Sequence, residues 1–271
     1  VDSNVYNHTS MLQFLATWTG VKPANVTAWR ESVTGDLTTA FDFKHPDFSI
    51  PKGIPTLDQT WALTQLTGGS TTPPAEGAQK MPAQEPGTRP HRPTNYQLHA
   101  DVTVNRTTSQ VTAALSNTGG KVGASFAVYP DALLTLGPTP FTVLPSAPKS
   151  YVWDATLTAG TYAFSVYGPD GFLTSFAGTV VPAGQNSGAV PVVTATLKSN
   201  SVKLTLANDG KTAVVYTVTK NDYDGSSKKV TVPGGSTRTV SWPVNQDGYY
   251  DVVITTSTSD GFRRRYAGRV A

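Results

Sequence analysis

From Gln110 to the end of the chain, apolar and polar residues alternate in short runs bounded by Asn, Asp and Gly. A period of two predicts half-buried strands. The runs also recur: Tyr162 to Val180 reads YAFSVYGPDGFLTSFAGTV, and Tyr250 to Val270 reads YDVVITTSTSDGFRRRYAGRV, with Asp-Gly turns 90 positions apart. Ala177-Gly178 and Ala267-Gly268 keep that spacing, and Trp153 and Trp242 lie 89 apart, which predicts two copies of one unit. Each copy opens alike, with QVTAALSNTGG from Gln110 and KLTLANDGK from Lys203 ending an alternating strand at Asn and Gly. A second strand follows in each, FAVY at Phe126 and YTV at Tyr216. A unit of about 90 residues with several short strands predicts an immunoglobulin-like sandwich. Its core takes Tyr162, Phe164, Val166, Phe172, Phe176 and Val180 in one copy, and Tyr250, Val252, Ile254, Phe262, Tyr266 and Val270 in the other. Trp153 and Trp242, at matching places, read as packing residues rather than lipid anchors. Tyr249 and Tyr250 adjoin in one strand, so one faces in and one out.

The first 66 residues follow a different rule. Met11, Leu12, Phe14, Leu15 and Trp18 recur at helical spacing, with Gly20 ending the run. A second helix is predicted from Val26 to Val33 behind Asn25, and a third from Leu57 to Leu66 behind Thr56. Trp18, Trp29 and Trp61 have few aliphatic partners within this segment, so its apolar face calls for a surface outside it. From Gly68 to Pro93, six Pro and four Gly occur with no Leu, Ile, Val or aromatic residue, the composition of a semi-rigid linker. The expected organisation is a helical segment over residues 1–67, a linker over 68–95, and β-sandwiches over 96–185 and 186–271. The fold class is mainly β.

Composition narrows the chemistry. The chain of 271 residues has no Cys, which excludes disulfides and thiol catalysis. No run of 18 apolar residues is present, and a low charged fraction of 14% with abundant Thr, Ser, Gly and Val suits a secreted β protein. The opening VDSNVYNHTS has neither an initiator Met nor a signal peptide and reads as an internal cut. His8, His45, His91 and His99 show no metal-ligand spacing, and no His-Glu-x-x-His or P-loop pattern occurs.

Three phrases in order carry a family resemblance. VDSNVYNHTSMLQFLATWTGV, followed by ANVTAWRESVTGDLTTAFDF, resembles the end of the catalytic region of the phosphocholine-preferring bacterial phospholipases C, whose catalytic region resembles acid phosphatases of the alkaline-phosphatase-like superfamily. MPAQEPGTRPHRPTNYQLHADV at Met81 to Val102 is similar to the phrase leading into that family's accessory domains, and two tandem β domains complete the pattern. Asn7 stands where the family usually has Asp before His-Thr-Ser. The resemblance implies that the helical segment completes an α/β catalytic domain whose nucleophile and divalent metal ligands lie upstream. No cofactor is expected in this chain itself, and its first partner is that upstream catalytic polypeptide.

Two places could lie near chemistry. By the resemblance, His8 sits by the active-site floor and orients a ligand or a phosphate oxygen; the alternative is a helix-start histidine bonded to backbone. Thr9 and Ser10 read as caps. Arg263, Arg265 and Arg269 alternate with core positions of the last strand and project from its outer face, toward anionic lipid, an acidic patch of the catalytic region, or simply solvent at a charged edge strand. The region from Ser187 to Ala271 carries 11 Lys or Arg against 6 Asp or Glu, while the whole chain carries 21 against 18. Nucleic acid is not expected as a partner, since no aromatic platform interleaves with the basic residues. The expected function is that of a C-terminal polypeptide of a secreted phospholipase C, inactive alone, that cleaves phosphatidylcholine to diacylglycerol and phosphocholine once completed. The alternative is a stand-alone β-sandwich module binding carbohydrate, protein or membrane.

Overall fold

The computed structural model describes residues 1–50, 72, 74–75, 77–78, 91–92, 94–120, 122–180, 188–258 and 260–270. The expected helix from Leu57 to Leu66 and most of the expected linker lie outside the described residues. The chain divides into two compact units, Val1–Phe41 with His91–Ala271, and Asp42–Pro90. In the second, Asp42 accepts the backbone N–H groups of Lys44 and His45 at 3.2 Å each, a local Asx turn.

Among the described residues, fourteen strands build the first unit. In its first half β1 (Leu98–Asn105), β2 (Gln110–Asn117) and β5 (Lys149–Asp154) form a three-stranded sheet in the order β1-β2-β5. Facing it are β3 (Ala124–Tyr129), β4 (Thr139–Val143), β6 (Thr161–Tyr167) and β7 (Leu173–Thr179), ordered β4-β3-β6-β7. The second half repeats this with β8 (Pro191–Lys198), β9 (Ser201–Asn208) and β12 (Ser236–Pro243) in one sheet. Its other sheet holds β10 (Val214–Asp222), β11 (Lys228–Val232), β13 (Tyr249–Thr256) and β14 (Arg263–Arg269). Every pairing is antiparallel. Three strands packed on four, with connections crossing between sheets, is the immunoglobulin-like arrangement.

The repeated phrases have matching structural causes. Asn117 accepts from the N–H groups of Gln97 and Gly119 and donates to Val122 O, tying the end of β2 to the loop that follows. Asn208 does the same at the end of β9, accepting from Val190 and Gly210 and donating to Thr212 O and Val232 O. Asp170 and Gly171 have φ of 58° and 71°, the pair of positive values that closes a tight hairpin. Gly178 lies opposite Tyr162, where a Cβ would stand 2.8 Å from the phenol oxygen; Gly268 lies opposite Tyr250 with 3.3 Å. Glycine there lets a cross-strand tyrosine ring lie over the backbone. All twelve predicted hairpin core residues are buried, as are Trp153 and Trp242. Tyr250 is buried and Tyr249 half-buried.

The two sandwiches are not beads on a string. β14 pairs with β7, joining the two four-stranded sheets into one of eight strands, β11-β10-β13-β14-β7-β6-β3-β4. The register runs from Arg263 opposite Ala177 to Ala267 opposite Leu173, with Arg265 opposite Ser175 at its centre. Positions 175 and 265 are equivalents in the duplication, so the seam has a pseudo-two-fold axis through that pair. β14 is therefore an interior strand, which corrects the expectation of a charged sheet edge: its edge is covered by its own repeat.

Helix α1 (His8–Thr19) and the short α2 (Ala28–Val33) precede the sandwiches. Asn7 caps α1: its side chain accepts Thr9 N–H at 2.8 Å, and Ser10 Oγ accepts Asn7 N–H at 3.1 Å, closing a reciprocal box. Gly20, with φ 75°, ends the helix as the sequence predicted. The α2 cap is Thr27, two residues later than the expected Asn25, because its hydroxyl reaches Arg30 N.

Candidate functional site

The N-terminal segment holds to the first sandwich through polar contacts. Asn4 Oδ1 accepts Asn95 N–H at 2.9 Å, Val5 N–H donates to Tyr96 Oη at 3.0 Å, and Gly123 N–H donates to Ser32 O. Asp2, Tyr6 and Thr39 form a local knot, with Tyr6 Oη 2.7 Å from Asp2 Oδ2. Burial, with Asp2 beside it, pushes the Tyr6 phenol up to about 12. Burial also works against the Asp2 charge, but hydrogen bonds from Asn4, Tyr6 and Thr39 outweigh it and hold that carboxyl below the usual range.

The apolar face of α1 is left outward. Met11 is 67% exposed, Trp18 76% and Trp29 of α2 59%, with Leu12 and Leu15 also exposed. Only Asn4, Ser10, Thr34 and Gly35 are buried in residues 1–41. Phe14 stacks on Phe41 at 5.4 Å, a small local contact that leaves the larger stripe uncovered. This is the inverse of a soluble helix, which turns such a stripe to the core.

His8 is the first residue of α1, exposed, with its side chain bonded to no described residue. The expected backbone bond from His8 is absent because Asn7 supplies the cap. Thr9 and Ser10 are engaged in that cap, as predicted.

The three arginines of the last strand do lie on one side of it, but they are not a free cluster. Arg265 makes a two-pronged ion pair with Asp251, Nε to Oδ1 at 2.9 Å and Nη2 to Oδ2 at 2.5 Å, and that hydrogen bonding raises its pKa further. Asn221 supports the same carboxylate. Arg269 donates Nε to Asp247 O and lies over the Tyr249 ring, and Arg263 reaches Ser175 Oγ at 3.3 Å. The next residue inward, Arg264, is buried, which the reading of alternate positions passed over.

A further cluster joins residues far apart in sequence. His91 Nε2 lies 3.1 Å from Tyr249 Oη and 3.6 Å from Asp170, beside the first hairpin turn. Tyr249 Oη also donates to Asp170. Separations of 79 and 158 residues gave no signal for it. Between the sandwiches, Asp101 of β1 accepts Tyr266 Oη at 2.8 Å and Ala195 N–H of β8 at 3.0 Å. Burial raises the Asp101 pKa despite these bonds and His99 nearby, and burial pushes the Tyr266 phenol far above its usual value.

Among the described residues no three His, Asp or Glu side chains converge as a metal site would require. They do not fit the divalent ion that the resemblance places in the upstream region. No helix among them is long and apolar enough to cross a membrane.

The sequence model described as bacterial phospholipase C, C-terminal domain, matches twice, at residues 90–179 and 187–269. The chain belongs to this family. Curated relatives align over the whole chain. A non-hemolytic phospholipase C of Burkholderia pseudomallei is 33% identical, and one of Pseudomonas aeruginosa 32%. A hemolytic phospholipase C of Pseudomonas aeruginosa is 29% identical. The chain spans only 39% to 41% of the length of these relatives.

Proposed function

We propose that this chain is the C-terminal part of a secreted phospholipase C that cleaves phosphatidylcholine-type phosphodiesters to diacylglycerol and phosphocholine. The uncovered apolar stripe of α1, in a chain aligned end to end with parts of much longer phospholipases C, is the observation that carries this reading. Residues 1–41 close the catalytic domain with Met11, Leu12, Leu15 and Trp18 packed against it, and the divalent metal belongs to that upstream region. The polar contacts of Asn4, Val5 and Ser32 then fix the catalytic domain to the double sandwich, which stabilises it or orients it at a lipid surface. His8, exposed at the helix start, is a positioning group there.

The test compares the full-length protein with this chain alone on a choline phosphodiester. Release of phosphocholine by the full-length protein, with none above background from the chain, is the expected result. Turnover by the chain alone, or glycan binding by a full-length protein with no hydrolysis, would overturn the reading in favour of a self-sufficient enzyme or an adhesion module. Replacing His8 by Ala in the full-length protein should lower kcat at unchanged folding; unaltered kcat and KM would remove it from the site.

A further inference from the structure

The pseudo-two-fold seam produces two clefts between the facing edge strands β1 and β8, one on either side of the Asp101–Ala195 contact. One, about 330 Å³, is bounded by Val102 to Val104 of β1 and Pro191 to Thr194 of β8. Its mate, about 270 Å³, is bounded by Gln97 to His99 and Ala195 to Leu197. Their chemistry differs. Arg264 stands in the wall of the larger cleft, whereas the equivalent position of the other repeat is Thr174. The same fold is thus built with a threonine at that place, and the guanidinium is not demanded by the architecture.

Arg264 is 2% exposed, yet no carboxylate among the described residues pairs with it. Its Nη1 donates to the carbonyls of Ala177 and Arg263, and its Nη2 to Tyr162 Oη at 2.6 Å. Nε has no acceptor, and by count one Nη2 hydrogen is also unused. The rings of Phe262, Tyr162 and Phe176 surround the guanidinium carbon at 4.2, 5.3 and 5.7 Å, fixing it in place. A buried cation without a counter-charge is costly and is met in proteins by an ion pair or a bound anion. Arg106 lines the same cleft. The carboxylates there are otherwise disposed: Asp260 accepts from Thr258 Oγ1 and Phe262 N–H, and Asp209 is exposed to water.

We propose that this cleft binds a phosphate oxyanion, with Arg264 as the fixed charge. Free phosphate and a phospholipid headgroup share that chemistry, and one experiment with two arms separates them. Calorimetric titration of the full-length protein with inorganic phosphate, against chloride of equal ionic strength, should give saturable binding. Arg264→Met should weaken it at least about tenfold, the loss expected for one charge-assisted site. Val104→Trp, placed at a lining position that is itself 38% exposed, should block the cleft equally while leaving the unfolding temperature unchanged, and so decides the matter if Arg264→Met fails to fold. Sedimentation with phosphatidylcholine and phosphatidylglycerol vesicles forms the second arm. Vesicle binding lost in Val104→Trp identifies a headgroup as the source, and phosphate binding without vesicle binding identifies the free ion. No saturable phosphate binding, or binding undiminished in Val104→Trp, overturns the proposal.

Discussion

The helical segment and the sandwiches have equally regular apolar patterns, yet they spend them in opposite directions. In the inner strands β2, β3 and β9 of the sandwiches alternate residues are buried, and Trp242, Tyr216, Phe126 and Phe164 are sealed. In the N-terminal segment the apolar residues of α1 face out, and the buried side chains are polar: Ser10 of that helix, with Asn4 before it and Thr34 after α2. A pattern in sequence therefore tells that a face is to be covered, and only the fold tells whether the same chain covers it. The sandwiches are complete bodies. The helices leave an apolar face exposed, which the proposed function assigns to an interface.

That contrast predicts unequal costs for similar truncations. Phe262→Ala or Phe172→Ala should destabilise this chain by about 3 to 5 kcal/mol, because each leaves a cavity in a packed core. Chemical denaturation measures it, and near-neutral values for both would break the contrast from the sandwich side. Gly178→Ala should cost about 1 to 3 kcal/mol, the usual range for overpacking, since its Cβ would press on Tyr162; Gly268→Ala, with more room at Tyr250, should cost less. Equal costs would show that the tyrosines move freely.

Smaller effects belong to the helix. Asn7→Ala removes the cap of α1 and should cost about 1 kcal/mol, seen as faster amide exchange confined to His8–Thr19. Leu15→Asp together with Trp18→Asp should change the stability of this chain by less than about 0.5 kcal/mol, as exposed substitutions do. In the full-length protein the same pair should abolish phosphodiesterase activity. Unimpaired activity would sink the interface.

How much of this was legible follows from periodicity. The hairpins, the Asn-Gly strand ends and the two buried tryptophans could be read because duplication repeats a period of two. β4 and β11 were missed because, as sheet edges with Pro140 or Lys228 and Lys229, they bury little and alternate weakly. The pairing of β14 with β7 left no trace, since a strand's sequence shows that it pairs but not with which partner. Arg264 could have been found: parity with Phe262 and Tyr266 puts it inward, but the run of three arginines reads as a surface. The anchoring of the helical segment on Asn95, Tyr96 and Gly123 uses a backbone N–H in each bond, accepted by Asn4 Oδ1, Tyr96 Oη and Ser32 O, and no apolar periodicity reveals such pairs.

The smallest prediction concerns the seam. Burial raises the Asp101 pKa, so the folded protein holds that proton more tightly than the unfolded chain. Its contribution is fully present below the unfolded value near 3.8 and is lost as pH rises through the folded one. Asp101→Asn keeps the shape without the titration. The stability of the natural chain relative to this variant should therefore fall between acid and neutral pH, in melting curves at matched ionic strength. A constant or rising difference would mean that Tyr266 and the Ala195 N–H fully solvate the charge.

The central claim, that α1 presents a face to a catalytic region outside this chain, is tested most directly by thiol labelling. The chain has no cysteine, so Leu15→Cys places one reporter on the stripe and Val152→Cys, on an exposed strand position, provides the control. Labelling is followed by peptide mapping in this chain and in the full-length protein. We predict that Leu15→Cys reacts as fast as the control in the chain alone and is protected in the full-length protein, while the control reacts alike in both. Equal labelling of Leu15→Cys in the two proteins would contradict the account.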